Sequence, residues 1–160
     1  MAVFSGSELV NVAVGIEKNG IAYYDSLAEL TTDAALKDVY NYLANMERKH
    51  VEIFQNMLNS VGGYQPTYAS GTEEEYELYL KALVDSVVFN DEQVARQMAR
   101  KASSPAEAIQ IALGAEKDSI IFYCEMRDLI LERDRAIIDG IISEEKSHVR
   151  QLYNLKKQFA

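Results

Sequence analysis

The chain has 160 residues, 48% of them hydrophobic, and its 16 basic and 25 acidic residues leave a net charge of -9. That length supports one domain with a sizeable core, the apolar share excludes wholesale disorder, and the acidity argues against a nucleic-acid or anionic-membrane surface. Two prolines and eight glycines favour helix over the turn-dense pattern of all-β proteins.

The N-terminal stretch MAVFSGSELVNVAVGIEKNG has no basic leader region, and Glu8 and Glu17 interrupt its apolar residues. Neither a signal peptide nor a membrane span is predicted, and the protein is expected to be cytoplasmic. A first long helix, roughly 6–30, opens at Ser5, where Glu8 completes a capping box, and carries Leu9, Val12, Ala13, Ile16, Tyr24 and Leu27 near one stripe. The second, roughly 33–61, starts at Thr32 or Asp33 and stops at Gly62 and Gly63, its apolar line passing through Leu36, Val39, Leu43, Met46, Phe54 and Met57. A crossover over 62–104 begins with the loop sequence GGYQPTYASGT and then holds short helices, one over EEYELYLKALVDSVVF after a capping box of Thr72 with Glu75, and another capped by Asp91 and running to about Lys101.

SSPAEA opens the third long helix, roughly 105–132, because Ser104 can cap, Pro105 suits the first helical position and Glu107 the third. Its apolar residues include Ile109, Ala112, Leu113, Ile120, Tyr123 and Ile130. Cys124, the one cysteine, excludes an intramolecular disulfide and any Cys-x-x-Cys site, and is expected to be a small buried hydrophobe. The fourth long helix spans roughly 134–158. Two helical hairpins joined by a long crossover predict an all-α fold, the ferritin-like variant of the four-helix bundle, as a single domain over 1–160.

The two hairpins also repeat one another. AVGIEKNGIAYY (13–24) aligns with ALGAEKDSIIFY (112–123), and MERKHVEIF (46–54) with EEKSHVRQL (144–152), at nearly the same offset. A duplicated hairpin sets equivalent residues around a pseudo-two-fold axis, so Glu17 faces Glu116, and Glu47-x-x-His50 faces Glu145-x-x-His148. Residues three apart share a helix face, roughly 5 to 6 Å between Cβ atoms. Each Glu-x-x-His can therefore offer one oxygen and one nitrogen to a common point.

One such pair is ordinary on a solvated helix. Here both of the chain's two histidines have Glu three residues earlier, in the matching parts of the repeat and on apolar stripes. Four carboxylates and two neutral imidazoles carry -4, which two divalent cations cancel. Mixed oxygen and imidazole donors suit iron or manganese, with zinc also possible. The expected sets are Glu17, Glu47 and His50 for one metal and Glu116, Glu145 and His148 for the other, bridged by Glu47 and Glu145. Tyr24 and Tyr123 each lie seven residues after the inward Glu of their helix, where a phenol can hydrogen-bond a ligating carboxylate. Ala13, Gly20, Ala112 and Ser119 flank the acids with small side chains that leave room for metals and a diatomic ligand. Glu144, rotated about 100 degrees from Glu145, is expected to be a solvated surface residue.

Carried by GIEKNGIAYY, MERKHVEIF, GAEKDSIIFY and EEKSHVRQL, the chain resembles the rubrerythrin branch of the ferritin-like di-iron carboxylate proteins over nearly its whole length. The resemblance implies a centre of two iron ions, oxidoreductase chemistry with hydrogen peroxide or dioxygen, and metal-ligand roles for Glu17, Glu47, His50, Glu116, Glu145 and His148. Full-length rubrerythrins have a further ligating Glu where this chain has Ser119, so their redox-dependent ligand switch is not implied and the ligand set is the symmetric one, closer to that of bacterioferritin. They also carry a four-cysteine rubredoxin domain; with one cysteine here, a separate electron-donor protein is expected. A homodimer or higher homo-oligomer is expected too, with no nucleic-acid and no membrane partner. Two other functions fit the same sequence: an iron-handling ferroxidase or storage protein, and a metal-free helical interaction module.

Overall fold

The structure of the chain, a computed structural model, describes residues 5–66 and 73–159. Its elements in chain order are α1 (Gly6–Leu30), α2 (Ala34–Val61), α3 (Glu73–Asp85), α4 (Glu92–Lys101), α5 (Pro105–Leu129) and α6 (Arg135–Lys156), with a 3-10 turn at Glu132–Asp134. Among the described residues there is no strand, and no helix is long and apolar enough to cross a membrane. The duplicated-hairpin architecture is the expected one: α1 packs on α2 and α5 on α6, with α4 against α1 and α3 against α5.

The helix starts follow the capping chemistry. Ser5 and Glu8 form a reciprocal capping box, Asp33 rather than Thr32 caps α2 by accepting the Leu36 N–H, and Ser104 caps α5 with Pro105 next to it. Asp91 caps α4 through the Val94 N–H. The Thr72 cap expected for α3 lies outside the described residues. Gly62 ends α2 with φ at +53°, a conformation that glycine alone adopts without penalty. Beside it Gly6 lets α1 approach closely: a Cβ there would stand 2.8 Å from Val61 Cγ2. The Gly6 N–H donates to Tyr64 O at 3.0 Å and the Ser7 hydroxyl to Gly62 O at 2.9 Å, which locks the open end of the first hairpin.

Three expectations need correction. The third long helix stops at Leu129, not near 132, because Ile130 and Leu131 take extended backbone and Asp134 bonds back to Leu131 O in the 3-10 turn that starts α6. Cys124 is exposed, on the outer face of α5. The apolar run VDSVVF is not all helix: α3 ends at Asp85, and the chain turns so that Phe89 packs inward against Tyr23 with ring centroids 4.7 Å apart.

Each long helix passes through two apolar clusters with a polar step between them. One cluster gathers Ala22, Tyr23, Leu27, Leu36, Leu43, Phe89, Ile109, Ala112 and Leu152; the other gathers Leu9, Val10, Phe54, Met57, Leu80, Phe122, Met126, Ile138 and Ile141. At a typical 1.5 to 3 kcal/mol for each fully buried large apolar side chain, these clusters drive folding. Glu17, Glu47, His50, Glu116, Glu145 and His148 all lie at the waist between them, each 3% exposed or less.

Candidate metal centre at the bundle waist

The six sequence-predicted residues converge. His50 points Nδ1 inward, 2.9 Å from Glu145 Oε1, 3.2 Å from Glu47 Oε2 and 3.4 Å from Glu17 Oε2. His148 does the same from α6: its Nδ1 lies 3.2 Å from Glu145 Oε2 and 3.6 Å from both Glu47 Oε1 and Glu116 Oε2. The two imidazoles are nearly parallel, their centroids 6.1 Å apart. Two groups of donor atoms result, Glu17, Glu47, His50 and Glu145 in one, Glu47, Glu116, Glu145 and His148 in the other, and within each the atoms lie within 4.8 Å of one another. Glu47 and Glu145 belong to both.

Burial and mutual repulsion set the protonation of such a cluster. Burial, followed by the charges of Glu145, Glu17 and Glu116, pushes Glu47 well above the carboxylate range. Burial and the neighbouring Glu145 raise Glu116 to about 8, against the pull of His148. Glu145 is the exception. Burial and Glu17 push it up, but its close contacts with Glu116, His148 and His50 outweigh them and hold it below its usual value. Burial pulls both imidazoles down, yet their carboxylate partners prevail: Glu116 and Glu145 raise His148 to about 10, and Glu145, Glu17 and Glu47 raise His50 as well. The cluster thus holds its charges together only by retaining protons.

Tyr24 and Tyr123 sit where the sequence put them, with a partner exchange. Tyr24 of α1 donates to Glu116 of α5, and Tyr123 of α5 donates to Glu17 of α1. Burial, reinforced by the surrounding carboxylates, keeps both phenols far above their ordinary value, so both are fixed as donors. The small flanking residues divide: Ala13 and Ala112 pack in the two apolar clusters, while Gly20 and Ser119 line a cavity of about 30 Å³ beside Glu17, Glu47 and Glu116. A Cβ at Gly20 would touch Glu47 Cγ at 3.4 Å. Ser119 turns its hydroxyl to Ala115 O and supplies no carboxylate.

Sequence reasoning missed three features. Asn19 and Asp118, equivalent positions in the repeat, grip the turn after α3: Asn19 Nδ2 donates to Phe89 O at 3.0 Å and the Val88 N–H donates to Asp118 Oδ2 at 2.8 Å. This turn supplies Val87 and Phe89 to the cavity wall. The third is Glu144, which is not merely solvated: its Oε2 accepts from His50 Nε2 at 2.7 Å. The offset of two after each inward Glu could have flagged the first two residues; no pattern along α6 could have shown that Glu144 reaches a histidine on α2.

Whether this donor set fits metal is answered by its own chemistry. Each group offers three carboxylates and one imidazole, an oxygen-rich set of the kind iron and manganese take. Glu145 Oε1 is buried and accepts no hydrogen bond among the described residues although His50 Nδ1 is 2.9 Å away, which leaves a buried carboxylate oxygen unsatisfied inside the cluster. The cluster could therefore hold two divalent ions.

A sequence model of the family described as Rubrerythrin matches residues 8–156. Among solved structures, a Thermotoga maritima protein described as ferritin-like and diiron-carboxylate is 28% identical and superposes with a TM-score of 0.69, covering 98% of this chain and 97% of that one. A hypothetical protein from Pyrococcus furiosus, 20% identical with a TM-score of 0.65 over 98% of this chain and 91% of its own, shares the fold. No curated protein matches the chain.

Proposed function

The chain belongs to the rubrerythrin family, and from that premise we propose that it is a non-haem di-iron oxidoreductase that reduces hydrogen peroxide, or dioxygen, with electrons from a separate donor protein. The observation that carries this reading is the pair of four-residue groups that share Glu47 and Glu145. In it, Glu17, Glu47 and His50 would hold one metal and Glu116, Glu145 and His148 the other, with Glu47 and Glu145 available to both. When bound, two Fe(II) ions supply the two electrons that turn hydrogen peroxide and two protons into two waters.

The protein's part is placement and proton control. Tyr24 and Tyr123 hold Glu116 and Glu17 in fixed rotamers and keep a proton at each phenol beside the cluster. The cavity of about 30 Å³ at Gly20 and Ser119 has room for about two water-sized groups, at roughly 10 to 15 Å³ each. Phe89 and Val87 add apolar side chains to its wall on the side of the crossover.

Anaerobic reconstitution with Fe(II) tests the reading. It expects about two irons per chain and consumption of stoichiometric peroxide with a change in near-ultraviolet absorption; fewer than about two irons, or peroxide left intact, would overturn it. Ser119, with no seventh carboxylate, supports iron handling as the second reading, and a hollow shell of many subunits in solution would select it.

A further inference from the structure

The repeat places Glu47 opposite Glu145 and His50 opposite His148, but one position earlier it pairs Met46 with Glu144. This difference falls on the outer edge of the imidazoles. His50 is buried, and its Nε2 lies 2.7 Å from Glu144 Oε2, whose side chain is 49% exposed and so keeps the rest of its hydration. His148 is equally buried, yet its Nε2 has no hydrogen-bond partner among the described residues. The Tyr42 ring stands edge-on to the His148 ring with centroids 6.4 Å apart. A thioether such as Met46 is a weak acceptor and carries no charge.

We propose that Glu144 is a positioning residue for His50 and that it makes the two metal positions unequal, the one at His50 being the tighter. This rests on the metal reading above. With its Nε2–H donated to Glu144, the neutral His50 ring has one tautomer and one orientation, which presents the Nδ1 lone pair to Glu17, Glu47 and Glu145. The carboxylate also makes the ring a stronger donor, and loss of such a partner typically lowers metal affinity by about 10- to 100-fold. His148 has no such partner at Nε2: its carboxylate neighbours, Glu145 at 3.2 Å and Glu47 and Glu116 at 3.6 Å, all lie at Nδ1.

Titration of the metal-free protein with Co(II) alone, followed by its visible absorption, reads the two positions in turn. Wild type is expected to bind two ions in two steps separated by about 10-fold or more. E144M should weaken the tighter step by about 10- to 100-fold, so that the steps merge, and E144Q, which keeps an acceptor oxygen without the charge, should fall between. M46E tests the same idea by addition: a carboxylate at the equivalent position should tighten the weaker step. H148A should retain the tight step and H50A only the weak one. The proposal is overturned if wild type fills both positions in one step, if E144M leaves the separation unchanged, or if E144M weakens both steps alike. Wild type that binds no Co(II) would remove the metal reading and this proposal together, whereas two ions bound with no dependence on residue 144 would remove this proposal alone.

Discussion

Glu145 stands in both four-residue groups, so its removal subtracts a donor from each. Glu145→Ala is expected to lower bound metal from about two ions per chain to less than one, measured by elemental analysis after reconstitution. Wild-type metal content in this variant would refute the ligand assignment. Glu145 and the other five converging residues were legible in the sequence because 3.6-residue periodicity and the repeat independently turn them inward. The partner exchange of Tyr24 and Tyr123 was not: spacing along one helix fixes which face a phenol shares, but not which helix's carboxylate it meets. Cys124 misled for a related reason, since a small apolar residue next to buried Tyr123 sits one step, about 100 degrees, around the helix and faces outward.

At the scale of elements, the turn after α3 is held over the cavity by two side-chain hydrogen bonds, from Asn19 and to Asp118. Asp118→Ala leaves the Val88 N–H without its acceptor, and a hydrogen bond of this kind is worth about 0.5 to 1.5 kcal/mol. Its amide should then exchange with deuterium about 3- to 10-fold faster while metal content is unchanged; mass spectrometry of the peptide over the turn reads the first and elemental analysis the second. The long helices themselves were readable from their starts, where Ser5, Asp33 and Ser104 cap as their chemistry dictates. The end of α5 was not readable. Ile130 and Leu131 continue the apolar run with neither Gly nor Pro to mark a stop, yet both leave helical backbone.

For the whole molecule, the waist opposes the fold that surrounds it. Without metal, Glu116 is raised from 4.5 to about 8 and His148 from 6.5 to about 10. Both groups then bind more protons folded than unfolded, so each contributes stability that is present at low pH and lost as pH rises through those intervals. Metal binding requires the same groups deprotonated. The melting temperature of the metal-free protein should therefore fall from pH 6 to pH 8, while the gap between loaded and metal-free protein widens; calorimetry on both forms checks it, and a constant gap would refute the coupling. The bundle and its crossover were visible in the sequence as a whole, because composition, caps and the repeat all agree. The place of Phe89 in the cavity wall was hidden, since it depends on where the crossover lands.

The crosswise phenols carry one more implication. Each half of the chain supplies the hydrogen-bond donor for the other half's acid, as two copies of one hairpin would if they associated as separate molecules. Separate identical copies must carry the same residue at every equivalent position, so any asymmetry between their two histidines would be forbidden by symmetry. Joining both copies in one chain lifts that constraint. Met46 against Glu144, Asn19 against Asp118 and Gly20 against Ser119 are places where the two halves have used this freedom, and all three lie around the waist.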